Sequence, residues 1–301
     1  MRMTAISVAS CYMLAACIGG SGSSSSNSGS GQIAPIPAQE QRFNKEDRAF
    51  VDTLTGDEGD KPPRPRARDE LRSISYNPAT DTLNVGGDPF DLAGTFRRSP
   101  GRDVRGFAAF ENDGGARRYL ALVRTDTANG VSAGVIGTPY RFDNEIGGTF
   151  IARSATPDLP RNMEVNHIGD YAAVRNVGRN DGADMSNSFL QRVEGKVQLD
   201  LDFFDDRDAP GIEGVITDRR NLDQRIEIDG RKRPVRYDDV VLRFTDIDEQ
   251  GNFSGIVNIN GNPVGVYDGF IAGIDAAASA GTVIFVEGDE LERGAFIAGS
   301  E

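Results

Sequence analysis

"GVYDGFIAGIDAAASAGTVIFVEG", residues 265–288, decides the fold. Two apolar runs flank an alanine-rich piece, and the glycines fall inside the runs as well as between them. A glycine within a strand packs nothing and loses more conformational entropy on folding than any other residue. Its usual justification there is a sharp bend or a close approach of neighbouring chain. Gly169, Gly214, Gly255, Gly269, Gly273 and Gly299 repeat the pattern along the last 140 residues or so. The stretch therefore reads as two strands of a tightly coiled small barrel. "IDAAASAG", residues 274–281, becomes a tight connection ending at Gly281.

Working upstream, "KVQLDLDFF" sets Val197, Leu199, Leu201 and Phe203 on one face and Gln198, Asp200 and Asp202 on the other. That period of two belongs to a strand with one dry and one wet side. "HIGDYAAVRN", "GIEGVITDR", "DVVLRFTDI", "NFSGIVNING", "GVYDGFIAG", "GTVIFVEG" and "RGAFIAGS" complete a set of eight. Eight antiparallel strands close into a barrel whose interior side chains can fill, and closure removes exposed edges.

Before the barrel, "SATPDLPRN" (154–162) carries two prolines and marks a boundary. From Ser73 to Ser154, short apolar runs alternate with Asp, Asn and Gly clusters, which predicts five to seven short strands and no helix. The chain is thus expected to be all-β: a smaller β handle over 73–158, then an eight-stranded antiparallel barrel over 159–301.

Residues 1–16 have a basic start, a short apolar run and small residues ahead of Cys17, the layout of an export signal. The run is too short to span a bilayer. "LAAC" resembles a bacterial lipobox, which implies that Cys17 becomes the lipid-bearing first residue of the mature chain. Ile18 stands where some envelope lipoproteins carry a retaining aspartate, which implies outer-membrane sorting. Cys11 lies inside the removed segment, so the mature chain is expected to have no disulfide and no cysteine metal site. Residues 17–72 read as a disordered tether: a Gly/Ser run to about Ala38 with a reach of roughly 25 Å, then a charged stretch. There Pro62, Pro63 and Pro65 alternate with Arg64, Arg66 and Arg68.

The 301-residue chain carries a formal charge of −13. Loss of residues 1–16, with Arg2 as their one charge, would make it −14. Such a body repels phosphates, so nucleic acid is excluded as a partner. His167 is the only histidine. With no histidine or cysteine cluster, no nucleophile has a visible activating base and no catalytic or metal site is expected. "DIDEQGNFSGIV" places Asp246, Asp248, Gln250 and Gly251 at calcium-loop positions, but Val257 stands where a bidentate glutamate belongs, so a hairpin turn is expected. "FFDDRD" (203–208) reads as a solvated acidic turn. "RKRPVR" offers Arg231, Lys232, Arg233 and Arg236 as a cationic loop between the third and fourth barrel strands, suited to an acidic patch on a partner. His167 is expected in the barrel wall.

The closing segment, residues 252–300, resembles the barrel domain of the transferrin-binding protein B-like surface lipoproteins. Gly265, Tyr267, Gly269, Ile271 and Gly273 follow that family's glycine–aromatic strand, Ala276, Gly281 and Phe285 the connection and next strand, and Phe296 and Gly299 the last. Ile271 replaces the usual aromatic, and Ala280 with Gly281 the usual glycine pair. "PDLPRNMEVNHIGDYAAV" (157–174) resembles the family's first barrel strand, with Asn162 and His167 at positions where glycine and tyrosine are frequent.

The resemblance implies a non-enzymatic, cell-surface binding module anchored in the outer membrane, with a protein partner of unknown identity; relatives bind host proteins of iron supply or complement control. A monomer without cofactor is the default. Recognition is expected in loops near 178–195, 205–211 and 231–238. The competing reading is a haem or lipid carrier, since eight-stranded barrels can hold one small ligand. Leu199, Phe203, Leu242, Phe285 and Phe296, all expected to point inward, favour a filled core instead.

Overall fold

The computed structural model describes residues 33–37, 40–43, 66–69, 71–87, 93–112, 118–138, 144–177, 189–204, 210–288 and 290–300. The lipobox, Cys17, Arg64 and Asp205, Asp206 and Asp208 of the acidic turn lie outside the described residues.

Short alternating runs bounded by turn residues make the first sheet. Its strands are β1 (Glu40–Phe43), β2 (Arg66–Asp69), β3 (Leu71–Asn77), β4 (Thr82–Gly87), β5 (Gly94–Arg98), β6 (Ala108–Asn112), β7 (Tyr119–Asp126), β8 (Val131–Gly137) and β9 (Asn144–Arg153). From β3 to β9 they form one antiparallel meander; β1 then pairs antiparallel, and β2 parallel, with β9. The sheet curls until its ends approach, where Gln41 Nε2 on β1 donates to Ile74 O on β3 at 3.3 Å. The result is a nearly closed barrel around Leu83, Phe96, Phe110 and Phe150. Seven of its strands fall where five to seven were expected. Strands β1 and β2, and the start of β3, come from the stretch read as a tether. The only helical element among the described residues is a 3-10 turn, Pro100–Arg102.

The second sheet holds β10 (Glu164–Val177), β11 (Phe189–Asp202), β12 (Gly211–Ile228), β13 (Arg231–Arg236), β14 (Val240–Asp246), β15 (Asn252–Ile259), β16 (Asn262–Ala272), β17 (Ala278–Glu287) and β18 (Glu290–Ser300). Eight of these, all but β13, pair in a ring that β11 closes against both β10 and β12. These are the eight segments expected from alternation. The all-β architecture with a closed C-terminal barrel therefore stands, and its strands are on average longer than those of the first sheet.

The glycines have a specific use. Facing positions across neighbouring strands pair Gly269 with Phe253, Gly281 with Phe296 and Gly255 with Tyr267. Each ring occupies the space a side chain on the glycine would fill. The barrel interior is thereby packed by Leu199, Phe203, Leu242, Phe285 and Phe296 among others.

"IDAAASAG" does not run as a connection to Gly281. β17 begins at Ala278, because Ala278, Ser279 and Ala280 all find partners on β16. The turn itself is made by Asp275 and Ala276, both at φ +53°. His167 holds it from the barrel wall: Nε2 donates to Ala276 O at 2.7 Å, so Nδ1 accepts from Ser279 Oγ at 2.8 Å.

The two sheets share a core. Leu122, Val135 and Ile151 of the first pack with Phe270, Ala295 and Ile297 of the second. Arg153, at the end of β9 and 2% exposed, ties them further. Its Nε meets Glu40 Oε2 at 2.6 Å, Nη1 donates to Gln250 O at 2.8 Å and Ile271 O at 3.1 Å, and Nη2 donates to Asn252 Oδ1 at 3.2 Å.

Candidate functional site

One end of the second barrel is closed by charge. Glu292 on β18 is fully buried. Its Oε2 accepts from Arg219 Nη2 on β12 at 2.8 Å and from Arg175 Nη1 on β10 at 3.0 Å. Its Oε1 accepts from Tyr171 OH at 2.9 Å. Arg175 also reaches Glu287 at 2.5 Å and Glu290 at 2.6 Å, gripping both sides of the β17–β18 turn. Tyr237 lies under both guanidiniums, 4.2 Å from Arg175 and 5.3 Å from Arg219. Its hydroxyl accepts from Asn221 Nδ2 at 2.8 Å. Burial alone would raise the Glu292 carboxyl, but Arg219 and Arg175 prevail and hold it below the usual carboxylate range. Burial, then the Glu292 charge, pushes the Tyr171 phenol well up. These side chains are donors and acceptors to one another, and together they plug this end of the barrel.

Above the plug the wall continues past the barrel. β12 runs for 18 residues while its ring neighbour β14 has seven. The surplus turns at Asp229 and Gly230, both at positive φ, and returns as β13. Two such residues form the tight hairpin turn whose twist matches the strands. From Asp223 to Arg233 every residue is exposed, and the four facing pairs from Arg225–Pro234 to Ile228–Arg231 carry the hairpin about 13 Å outward at 3.3 Å per residue. Its base is clamped: Asp223 accepts from Arg192 N at 2.8 Å and Nη2 at 2.6 Å. Burial raises the Asp223 carboxyl, and Arg192 outweighs it and brings it below the usual value.

Opposite residues of a hairpin share a face. Ile226 stands opposite Arg233 and Ile228 opposite Arg231, while Glu227 stands opposite Lys232 on the other face. Ile226 is 42% exposed and Ile228 41%. Arg225, Arg231, Lys232 and Arg233 make no ion pair among the described residues, whereas Arg236 approaches Asp218 at 3.6 Å.

The structure thus keeps the cationic residues of "RKRPVR" at the surface but makes them a strand, not a loop. The signal was present: Asp229 and Gly230 follow the alternating Ile226 and Ile228, a hairpin pattern. Of the other expected recognition segments, residues 189–195 belong to β11 and Gly211 to β12, while 178–188 and 205–209 lie outside the described residues. The calcium-like loop is a hairpin turn: Asp248 Oδ1 accepts from Gln250 N at 2.9 Å and Asn252 N at 2.7 Å. Asp246 sits within β14, opposite Gly211. No group of three or more histidine, cysteine or carboxylate side chains among the described residues is placed to hold a metal.

No protein-family model matches the chain, and no curated protein sequence matches it either. Solved structures do. A double mutant of transferrin-binding protein B from Haemophilus parasuis matches over 77% of this chain and 45% of its own, at 12% identity and a TM-score of 0.43. Transferrin-binding protein B from Neisseria meningitidis matches over 67% and 36%, at 16% and 0.35. The N-lobe of lactoferrin-binding protein B from Moraxella bovis matches over 63% and 81%, at 15% and 0.33. The chain spans less than half the length of the two transferrin-binding structures. The likeness is one of barrel fold, and it assigns no ligand, partner or residue role to this chain.

Proposed function

We propose that the chain is a non-enzymatic binding module that engages a protein partner through the exterior of its second barrel. One observation carries this reading: the barrel is filled by its own side chains and plugged by the Glu292 network, while a charged hairpin extends from its rim. A packed interior leaves recognition to the outside. The sole histidine supports a non-catalytic role, since both ring nitrogens are spent on Ser279 and Ala276. The same packing speaks against a haem or lipid carrier.

The lipobox resemblance supports anchoring through Cys17 at the outer membrane, and the resemblance of residues 252–300 to surface lipoproteins supports display outside the cell. We propose the division into a handle that holds β1 to β9 and ends at 158, and a barrel over 159–301, with a monomeric mature protein. The test is protease shaving of intact cells, with a periplasmic protein as control, joined to cross-linking of the full chain on its native cells. Cleavage with the control intact and a stoichiometric cross-linked protein are expected. Complete protection, or a chain that stays uncross-linked, overturns the reading. A purified protein whose native mass includes a haem or lipid would replace it with the carrier.

A further inference from the structure

We infer that the β12–β13 hairpin docks an acidic protein surface, reading it with the face formed by Ile226, Ile228, Arg231 and Arg233. The inference rests on the binding-module reading and adds the chemistry of the partner. Four cations without an ion pair among the described residues, Arg225, Arg231, Lys232 and Arg233, stand on a body of net charge −13. A basic projection on an acidic body repels most acidic approaches and admits those aimed at the projection, which favours a localised acidic patch. The two isoleucines on β12 give that face an apolar column beside the arginines of β13, so one contact can pair charge and bury apolar surface together.

The same residues argue against the alternatives. β13 is the terminal strand of the sheet, and Pro234 offers no N–H on it, which disfavours strand addition there and leaves the face as the contact surface. Asp229 forms the apex with Gly230, and Glu227 lies just behind it. A hairpin entering an anionic membrane would present those carboxylates first, with the acidic body following. A protein patch touches the flank and is spared both.

The experiment uses the full chain and three probes: a synthetic peptide alternating glutamate and leucine, its lysine–leucine counterpart, and phosphatidylglycerol vesicles. The acidic peptide is expected to bind, and to weaken as salt rises. Arg231→Glu with Arg233→Glu should reduce binding by roughly tenfold. Ile226→Thr with Ile228→Thr should weaken it several-fold while leaving the salt dependence as it was. Arg97→Glu, on an exposed position of the first sheet, should change nothing. All these side chains are exposed, so circular dichroism should report an intact fold. Equal binding of both peptides, vesicle binding that needs the hairpin, or full binding by the charge-reversed variant each overturns the inference. If a native partner is cross-linked equally by wild type and the charge-reversed variant, the hairpin assignment fails and the binding module stands.

Discussion

The ring of Phe296 occupies the room that a side chain on Gly281 would need: a Cβ there would stand 2.3 Å from Phe296 Cζ. The two residues face each other across β17 and β18. In a filled barrel the ring has nowhere to retreat. Gly281→Ala should therefore destabilise the protein by about 1–3 kcal/mol through overpacking. Phe296→Leu should recover part of that loss in the double variant, giving a coupling that denaturant unfolding of all four proteins will measure.

Glu292 accepts from two buried arginines and a tyrosine. Its replacement by glutamine removes the carboxylate that Arg175 and Arg219 share while both keep Glu287, at a cost of about 1–3 kcal/mol. The Glu292 carboxyl is held below its ordinary value of 4.5 in the fold, so its contribution is present above that pH and is lost as the pH falls through the lower folded value. Wild type should show this acid loss, and Glu292→Gln should lack it. Urea midpoints measured between pH 6 and pH 3 will decide.

His167 gives a second, separate window. Burial holds its pKa below the ordinary 6.5, although the bond to Ala276 O works in the other direction. The unfolded chain thus takes a proton before the folded one does. Stability from the neutral ring is complete above about pH 6.5 and declines as the pH falls toward the folded value. His167→Gln should be less stable at pH 7 yet flat between pH 7 and pH 5, and unfolding followed at both values tests this.

Arg153 joins the two sheets. Arg153→Met keeps a long apolar side chain and removes both the guanidinium over Phe270 and the bonds to Glu40, Gln250, Asn252 and Ile271. Calorimetry should show the single transition of wild type broaden or divide as the sheets uncouple. An unchanged, single transition would mean that the shared apolar core alone joins them.

The barrel strands were legible because a wall with a filled interior imposes alternation on every segment, and the glycines opposite Phe253, Tyr267 and Phe296 betray a tight curve. The hairpin was not, because the charges of Arg231 to Arg236 were read as a loop while Asp229 and Gly230 announced a turn between strands. Strands β1 and β2 have four residues each, too few to show a period. The plug was out of reach for a different reason. Arg175, Arg219 and Glu292 are 44 and 73 residues apart along the chain (219 − 175 and 292 − 219), and only the register of the closed ring sets them together.

Arg153 also decides how the body takes a pull. Tension on the chain ahead of β1 is first borne by Ile36, which is buried in the first sheet. Once that yields, the load falls on Glu40, opposite Arg153. From the guanidinium it passes to Gln250, Asn252 and Ile271, so the second barrel shares the strain before β9 has to peel away. A tug on β1 thus reaches the second barrel through one side chain as well as β9 through its ladder.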